Sequence, residues 1–243
     1  MTTPAPTTPQ HIELAPVPGR VLPMPRTASR RWFERDHPGG WLGLVWYERV
    51  KRSIDILACV IALPLVVLLL MVCVVAIRLD SPGAAWFTQK RTGRGGRRFG
   101  MYKLRTMVRD AESLKQQVMH LNQLAYPDFK IADDPRVTRV GKFLRKSSLD
   151  EIPQIFNVLR GDMTLVGPRP TSFSSDTYCW WHTARLELKP GLTGLWQVSG
   201  RNELDFNDRV RLDIAYLRGR SLWLDVQILI RTVASVASAR GAC

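Results

Sequence analysis

One run of residues restricts this chain more than any other: the 22 positions from Ile56 to Ile77 carry no charged side chain. As a helix the run would extend about 33 Å, against roughly 30 Å for a bilayer core. A chain of 243 residues builds one domain of ordinary size with some attached segments. The run begins beyond residue 50, and no small-residue cleavage pattern follows it. It therefore reads as a retained membrane segment and not as a secretory signal.

Whether the segment crosses is a separate matter. Asp55 sits just inside its start, Pro64 lies near its middle, and Lys51 and Arg52 precede it. Between Arg78 and Arg109 nine Lys or Arg stand against one acid, Asp80. Basic residues at both ends favour the cytoplasmic side for both flanks. A helix bent at Pro64, where a backbone donor is missing and the ring crowds the preceding turn, would satisfy them by re-entry. Hydropathy alone favours a simple crossing, since proline is common in spanning helices.

The surroundings exclude several function classes. Eight of the sixteen prolines fall within the first 38 residues, so residues 1–44 are expected to form a largely disordered arm. A net charge of +14 suits an anionic membrane, nucleic acid or phosphorylated substrates without choosing among them. Cys59, Cys73, Cys179 and Cys243 have no metal-ligand spacing, and His11, His37, His120 and His182 are scattered. The glycines from Gly93 to Gly100 fit neither the dinucleotide nor the P-loop pattern.

Past the membrane segment, Ala85–Gln89 and Phe99–Leu104 read as two short strands around a glycine-rich turn at Thr92–Gly96, a hairpin with a basic tip. Lys103 and Arg105 lie where the second strand gives way to a helix expected near Asp110, which favours them over the tip arginines as phosphate ligands. Leu149, Ile152, Phe156 and Leu159 then recur at helical spacing, predicting a helix from about Ser148. Ser148 and Glu151 fit a capping box, so Asp150 and Glu151 have an ordinary structural explanation. Against it stand Arg139, Lys142, Arg145 and Lys146 before the pair, and Arg160 and Arg169 after it. A helix start ringed with cations is an anion site that keeps a carboxylate ionised, ready to attack phosphorus or hold a divalent metal. Asp133 and Asp134 could form another metal pair, but Pro135 favours a capped turn.

Several motifs in one order resemble the bacterial sugar transferase family, the monotopic polyprenyl-phosphate phosphoglycosyl transferases. They are Lys51–Asp55, Tyr102–Met107, Ser148–Gln154, Gly161–Met163, Val166–Pro170 and Lys189–Arg201, within a resemblance covering about residues 48–236. The resemblance implies a helix-rich α+β, monotopic membrane protein with three parts. These are the arm at 1–44, a re-entrant helix at 45–80, and a small cytoplasmic catalytic domain at 81–243 with a β-hairpin and interfacial amphipathic helices. On this reading residues 45 and 85 face the same compartment.

The same resemblance implies a reaction, in which a UDP-sugar and undecaprenyl phosphate give undecaprenyl-diphospho-sugar and UMP with Mg2+. Asp150 would be the nucleophile and form a phosphosugar intermediate, Glu151 would be its catalytic partner, and both would serve the metal. Arg145 would meet the lipid phosphate and Arg169 the donor phosphate, with Lys103, Arg105 and Arg201 completing the phosphate-binding set. The setting would be the cytoplasmic face of a bacterial inner membrane, among its lipids and without nucleic acid; a homodimer is one admissible assembly. The chain resembles a short, exopolysaccharide-initiating form, with the proline-rich arm where longer members carry further transmembrane helices.

At the C-terminal end, Phe206, Val210, Ile214 and Leu217 make one apolar stripe, and Leu222–Val236 is a second apolar stretch. Each fits an interfacial helix or a core helix. Trp180, Trp181, Trp196 and Trp223 fit either setting as well. A membrane-tethered basic binding protein is the alternative reading; it accounts for the charge and the apolar run but not for an acid pair inside a cationic frame. No signature of a nucleic-acid-binding fold accompanies the charge.

Overall fold

The computed structural model describes residues 41–114, 116–122, 131, 133–172, 180–200 and 204–237. Its dominant element is helix α1, Trp41–Asp80, which contains Pro64 and extends about 60 Å. The helix starts at Trp41, inside the stretch 1–44 assigned to the arm; residues 1–40 lie outside the described set. It is the one described helix long and apolar enough to cross a membrane.

Two apolar faces run along α1. One carries Cys59, Leu70, Cys73 and Ile77, all buried. The other exposes Leu57, Ile61, Leu65, Leu68, Val72, Val75 and Leu79, an apolar surface that water does not favour. The buried face contacts the rest of the chain in both halves of the helix. Cys59 joins a core cluster with Met101, Ile155, Val158 and Met163, while Leu70, Cys73 and Ile77 join Ala85, Leu104 and Leu144.

Polar contacts fasten the first half further. Arg52 donates to Val158 O at 2.6 Å and Leu159 O at 2.8 Å, carbonyls near the end of another helix. Asp55 accepts from Thr164 Oγ1 at 2.5 Å and from Leu165 N at 3.3 Å.

After α1 comes the antiparallel hairpin of β1, Trp86–Thr92, and β2, Arg98–Leu104, in register from Trp86 opposite Leu104 to Thr92 opposite Arg98. The first strand runs three residues beyond the predicted Gln89. The expected helix near Asp110 is a series of turns instead, followed by a 3₁₀ segment at Gln116–Leu121. Helices α2, Arg139–Lys146, and α3, Gln154–Arg160, follow, then β3, Thr164–Val166. A 3₁₀ segment at Trp180–Glu187 leads to β4, Gly191–Thr193, and helices α4, Leu195–Ser199, α5, Phe206–Gly219, and α6, Leu222–Ala237.

Strands β3 and β4 pair in parallel. Their backbones come so close beyond Val166 that a Cβ on Gly191 would lie 2.1 Å from Gly167 N, so only glycine fits there. The third core cluster joins Val166 to Leu195, Leu204, Leu212, Tyr216, Leu224 and Ile228.

The buried positions of α5 are Val210, Leu212, Asp213, Tyr216 and Gly219, so its inner face differs from the predicted stripe of Phe206, Val210, Ile214 and Leu217. A buried acid at 213 is what the apolar pattern could not indicate. Helix α6 buries Leu224 and Ile228 and exposes Trp223, Val226, Ile230 and Val233.

Candidate active site

The acid pair lies on a 3₁₀ turn, Leu149–Glu151, between α2 and α3. Ser148 does not cap a helix as predicted: it has φ 58°, ψ 17°, and its side chain makes no capping hydrogen bond. It is the sole non-glycine with positive φ among the described residues. Helix α3 begins at Gln154 with Pro153 in the cap position, which explains how a proline can follow the acids so closely. Leu149 and Ile152 pack into the cluster of Leu70, Cys73, Ile77, Leu104 and Leu144. The turn thus joins, through its apolar residues, the cluster that links the membrane-capable helix to β2 and α2.

Around Glu151 the cations are close. Lys103 Nζ on β2 is 3.0 Å from Glu151 Oε1, and Arg169 Nη1 is 3.1 Å from Oε2 with Nη2 bonded to Oε1. Both oxygens are therefore occupied by a two-pronged arginine contact and a lysine. Burial by itself would raise the Glu151 carboxyl, but the charges of Arg169 and Lys103 and their hydrogen bonds hold it far below the usual range.

Asp150 is treated differently. Its nearest cation is Lys103, with Nζ 3.8 Å from Oδ2, and its carboxylate accepts no hydrogen bond among the described residues. Burial raises its pKa, opposed by Lys103 and reinforced by the charge of Glu151. One acid is held; its neighbour keeps open lone pairs.

Arg145 faces Asp150 from the end of α2, and burial lowers its pKa while Asp150 opposes that shift. Its Nε donates to Thr106 Oγ1 at 2.9 Å, and the rest of its guanidinium fork has no partner among the described residues. Thr106 was missed in the sequence, although it lies inside the Tyr102–Met107 motif. Helix α2 comes so near this residue that a Cβ on Gly141 would stand 2.0 Å from Thr106 O.

The other predicted residues fall elsewhere. Arg105 donates to Pro82 O at 2.7 Å, Ser81 O at 2.7 Å and Ser81 Oγ at 2.9 Å, securing the turn that follows α1 and not the acids. Arg201 lies outside the described residues. Asp134 is buried against Arg136, with Oδ1 accepting from its Nε at 2.9 Å and Oδ2 from its Nη2 at 2.6 Å, as a turn would require.

No group of three or more His, Cys, Asp or Glu able to hold a metal occurs among the described residues. Two adjacent carboxylates, one of them open, nonetheless suit Mg2+, which is commonly held by one or two carboxylates with substrate phosphates and water.

An open carboxylate with Lys103, Arg145 and Arg169 around it thus lies on a helix-rich α+β domain that carries a membrane-capable helix. Residues 46–239 match the model of the family described as "Bacterial sugar transferase". The chain belongs to the bacterial sugar transferase family.

It is 38% identical over 196 residues to the "Exopolysaccharide production protein ExoY" of Rhizobium meliloti, covering 79% of this chain and 87% of that protein. With the "UDP-glucose:undecaprenyl-phosphate glucose-1-phosphate transferase" of Caulobacter vibrioides it shares 43% identity over 211 residues, 82% of this chain and 74% of the relative. The "Galactosyl transferase CpsE" of Streptococcus agalactiae is 45% identical over 194 residues, 79% of this chain and 43% of CpsE. The chain thus spans less than half the length of CpsE and of several other curated relatives that it matches.

Proposed function

We propose that the chain transfers a sugar 1-phosphate from a UDP-sugar to undecaprenyl phosphate, as the first membrane step of exopolysaccharide or related glycan synthesis. The observation that carries this reading is the division between the two acids: Glu151 is saturated by Arg169 and Lys103, while the Asp150 carboxylate beside it is open. An Asp150 oxygen attacks the sugar-bearing phosphorus of the donor. The bond from that phosphorus to the bridging oxygen breaks, and UMP leaves with the electron pair. A phosphate oxygen of the lipid then attacks the same phosphorus, forming the diphosphate and returning Asp150 to its carboxylate.

Arg145 offers its free fork to a phosphate, and Lys103 lies within reach of both carboxylates to meet charge on the transferring group. Glu151 holds Arg169 at the site until a phosphate competes for it. Where a phosphate draws Arg169 away, Glu151 would join Asp150 in holding magnesium, which would neutralise charge on the donor diphosphate.

The relatives' names support the substrates: one names UDP-glucose and undecaprenyl phosphate, another an N-acetylgalactosaminephosphotransferase acting on undecaprenyl phosphate. Re-entry of α1 from the cytoplasmic face of the inner membrane is supported by its packing, since both halves rest on one domain. A straight crossing would carry the ends to opposite sides of about 30 Å of hydrocarbon. The exposed stripe of Trp223, Val226, Ile230 and Val233 on α6 supports an interfacial position for that helix.

Mixing the protein with a UDP-sugar and Mg2+ but no lipid acceptor tests the chemistry. The expected result is a single burst of UMP and a sugar-phosphate mass on the peptide containing Asp150. Turnover with acceptor but without burst or adduct would mean direct transfer; release of UDP would mean that the sugar moves without its phosphate. Single cysteines at Arg49 and Pro82 test the topology, and labelling from opposite sides of the membrane would exclude re-entry.

A further inference from the structure

Arg169 belongs to a short segment, Pro168–Thr171, in which Pro168 and Pro170 have no backbone N–H to donate. The segment is therefore tethered through its carbonyls. Gly191 N on β4 donates to Pro168 O at 2.9 Å, and Thr92 N at the end of β1 donates to Thr171 O at 3.0 Å. Between these two, Arg169 O accepts from Arg185 Nη2 at 2.7 Å. The same nitrogen is 2.6 Å from Asp213 Oδ2 on α5, a charge contact without hydrogen-bond geometry.

Arg185 and Asp213 are 4% and 1% exposed. A buried ion pair gains little over apolar packing, because desolvating both charges offsets their attraction. Burial raises the Asp213 carboxyl to about 7 even with the charge of Arg185 opposing it. The pair is therefore a poor device for stability, and its geometric product is a fixed donor beneath the backbone of Arg169.

We propose that Arg185, held beside the Asp213 carboxylate, is a positioning residue that fixes the backbone of Arg169, so that the Arg169 guanidinium stands ready for the donor phosphate. This rests on the phosphoglycosyl transfer reading above. Without the tether the Arg169 fork drifts from Glu151, and the donor must spend binding energy to bring it back. The loss falls on donor binding and leaves the lipid acceptor unaffected.

The experiment measures steady-state kinetics for both substrates in the full-length protein, together with thermal stability. In Arg185→Lys the charge opposite Asp213 remains while the fixed fork is lost. The expected result is a KM for UDP-sugar raised about ten-fold with the KM for polyprenyl phosphate unchanged. A purely structural role would lower the melting temperature and leave the donor KM of the folded variant unchanged.

If Arg185→Lys fails to fold, the double variant Arg185→Met with Asp213→Leu decides, since apolar replacement of both partners restores packing. The proposal expects its donor KM to remain raised after stability recovers; a wild-type donor KM in the folded variant would overturn it. Absence of UMP release by the wild type would instead remove the transfer reading itself.

Discussion

The acid pair at 150–151 and the single acid Asp225 are both carboxylates taken out of bulk water, and they are completed in opposite ways. Asp225 Oδ2 accepts from Lys51 Nζ at 2.8 Å and Tyr47 Oη at 2.9 Å, while Oδ1 accepts from Tyr216 Oη at 2.6 Å. Both oxygens are filled by groups from α1 and α5, so the acid on α6 joins three helices. At the active-site turn the protein fills only Glu151 and leaves Asp150 with a cation 3.8 Å away and no hydrogen bond among the described residues. A saturated buried network rigidifies its surroundings, whereas an unsaturated acceptor is retained at a cost that only an incoming group can offset. The difference separates the carboxylate that joins three helices from the one proposed to react.

The widest test of this contrast is Asp150→Asn, which keeps shape and removes the charge. Turnover should fall by at least about 1,000-fold, with the melting temperature within about 2 °C of wild type. A variant of near-normal rate would sink the nucleophile assignment. Asp225→Ala should reverse the pattern: it leaves Lys51 without its partner at a largely buried site and should cost about 3 kcal/mol of stability in chemical denaturation. Its rate per folded molecule should change far less, and a rate loss matching that of Asp150→Asn would erase the distinction.

Within the active site, Arg145→Ala should lower activity about 100-fold through loss of a charge-assisted phosphate contact. Arg94 lies at the hairpin tip, half exposed and 3.5 Å from Glu48, and Arg94→Ala should change the rate by less than about three-fold. Equal losses at both positions would mean that bulk charge alone matters.

The finest test uses pH. Asp150 must be ionised to attack, and burial raises its pKa, so the single-turnover rate should fall as pH drops through a midpoint above that of an ordinary aspartate. The charge of Glu151 adds to that rise, so Glu151→Gln should move the midpoint to lower pH. A midpoint shifted upward would show that Glu151 acts on Asp150 chiefly by holding Lys103 and Arg169.

Much of this site could be read from the sequence because its residue types are unusual in combination: adjacent acids among arginines, following an apolar run. The hairpin and the apolar segment emerged from local periodicity. Ser148 misled because Ser-x-x-Glu is written the same way in a capping box and in a left-handed turn. Packing of Leu149 and Ile152 into a cluster shared by α1, β2 and α2, largely remote in sequence, goes with the turn observed. Arg105 stands next to the reactive strand by number, yet its fork is drawn to the carbonyls of Ser81 and Pro82. Asp213 and Arg185 are 28 positions apart and conform to no motif, so their pairing could be found only in three dimensions.

The seating of the catalytic turn on α1 also sets a length. Leu149 and Ile152 rest on the cluster built by Leu70, Cys73 and Ile77, while Arg52 and Asp55 fasten the other half of the same helix. No slack tether separates the reactive carboxylate from the segment proposed to sit in lipid. The height of Asp150 above the hydrocarbon is then a constant of the fold, like the reach of a fixed arm. On the proposed reaction, a polyprenyl phosphate, whose phosphate is confined to the headgroup layer, would meet Asp150 at one depth, and its search would be reduced from three dimensions to the plane of the leaflet.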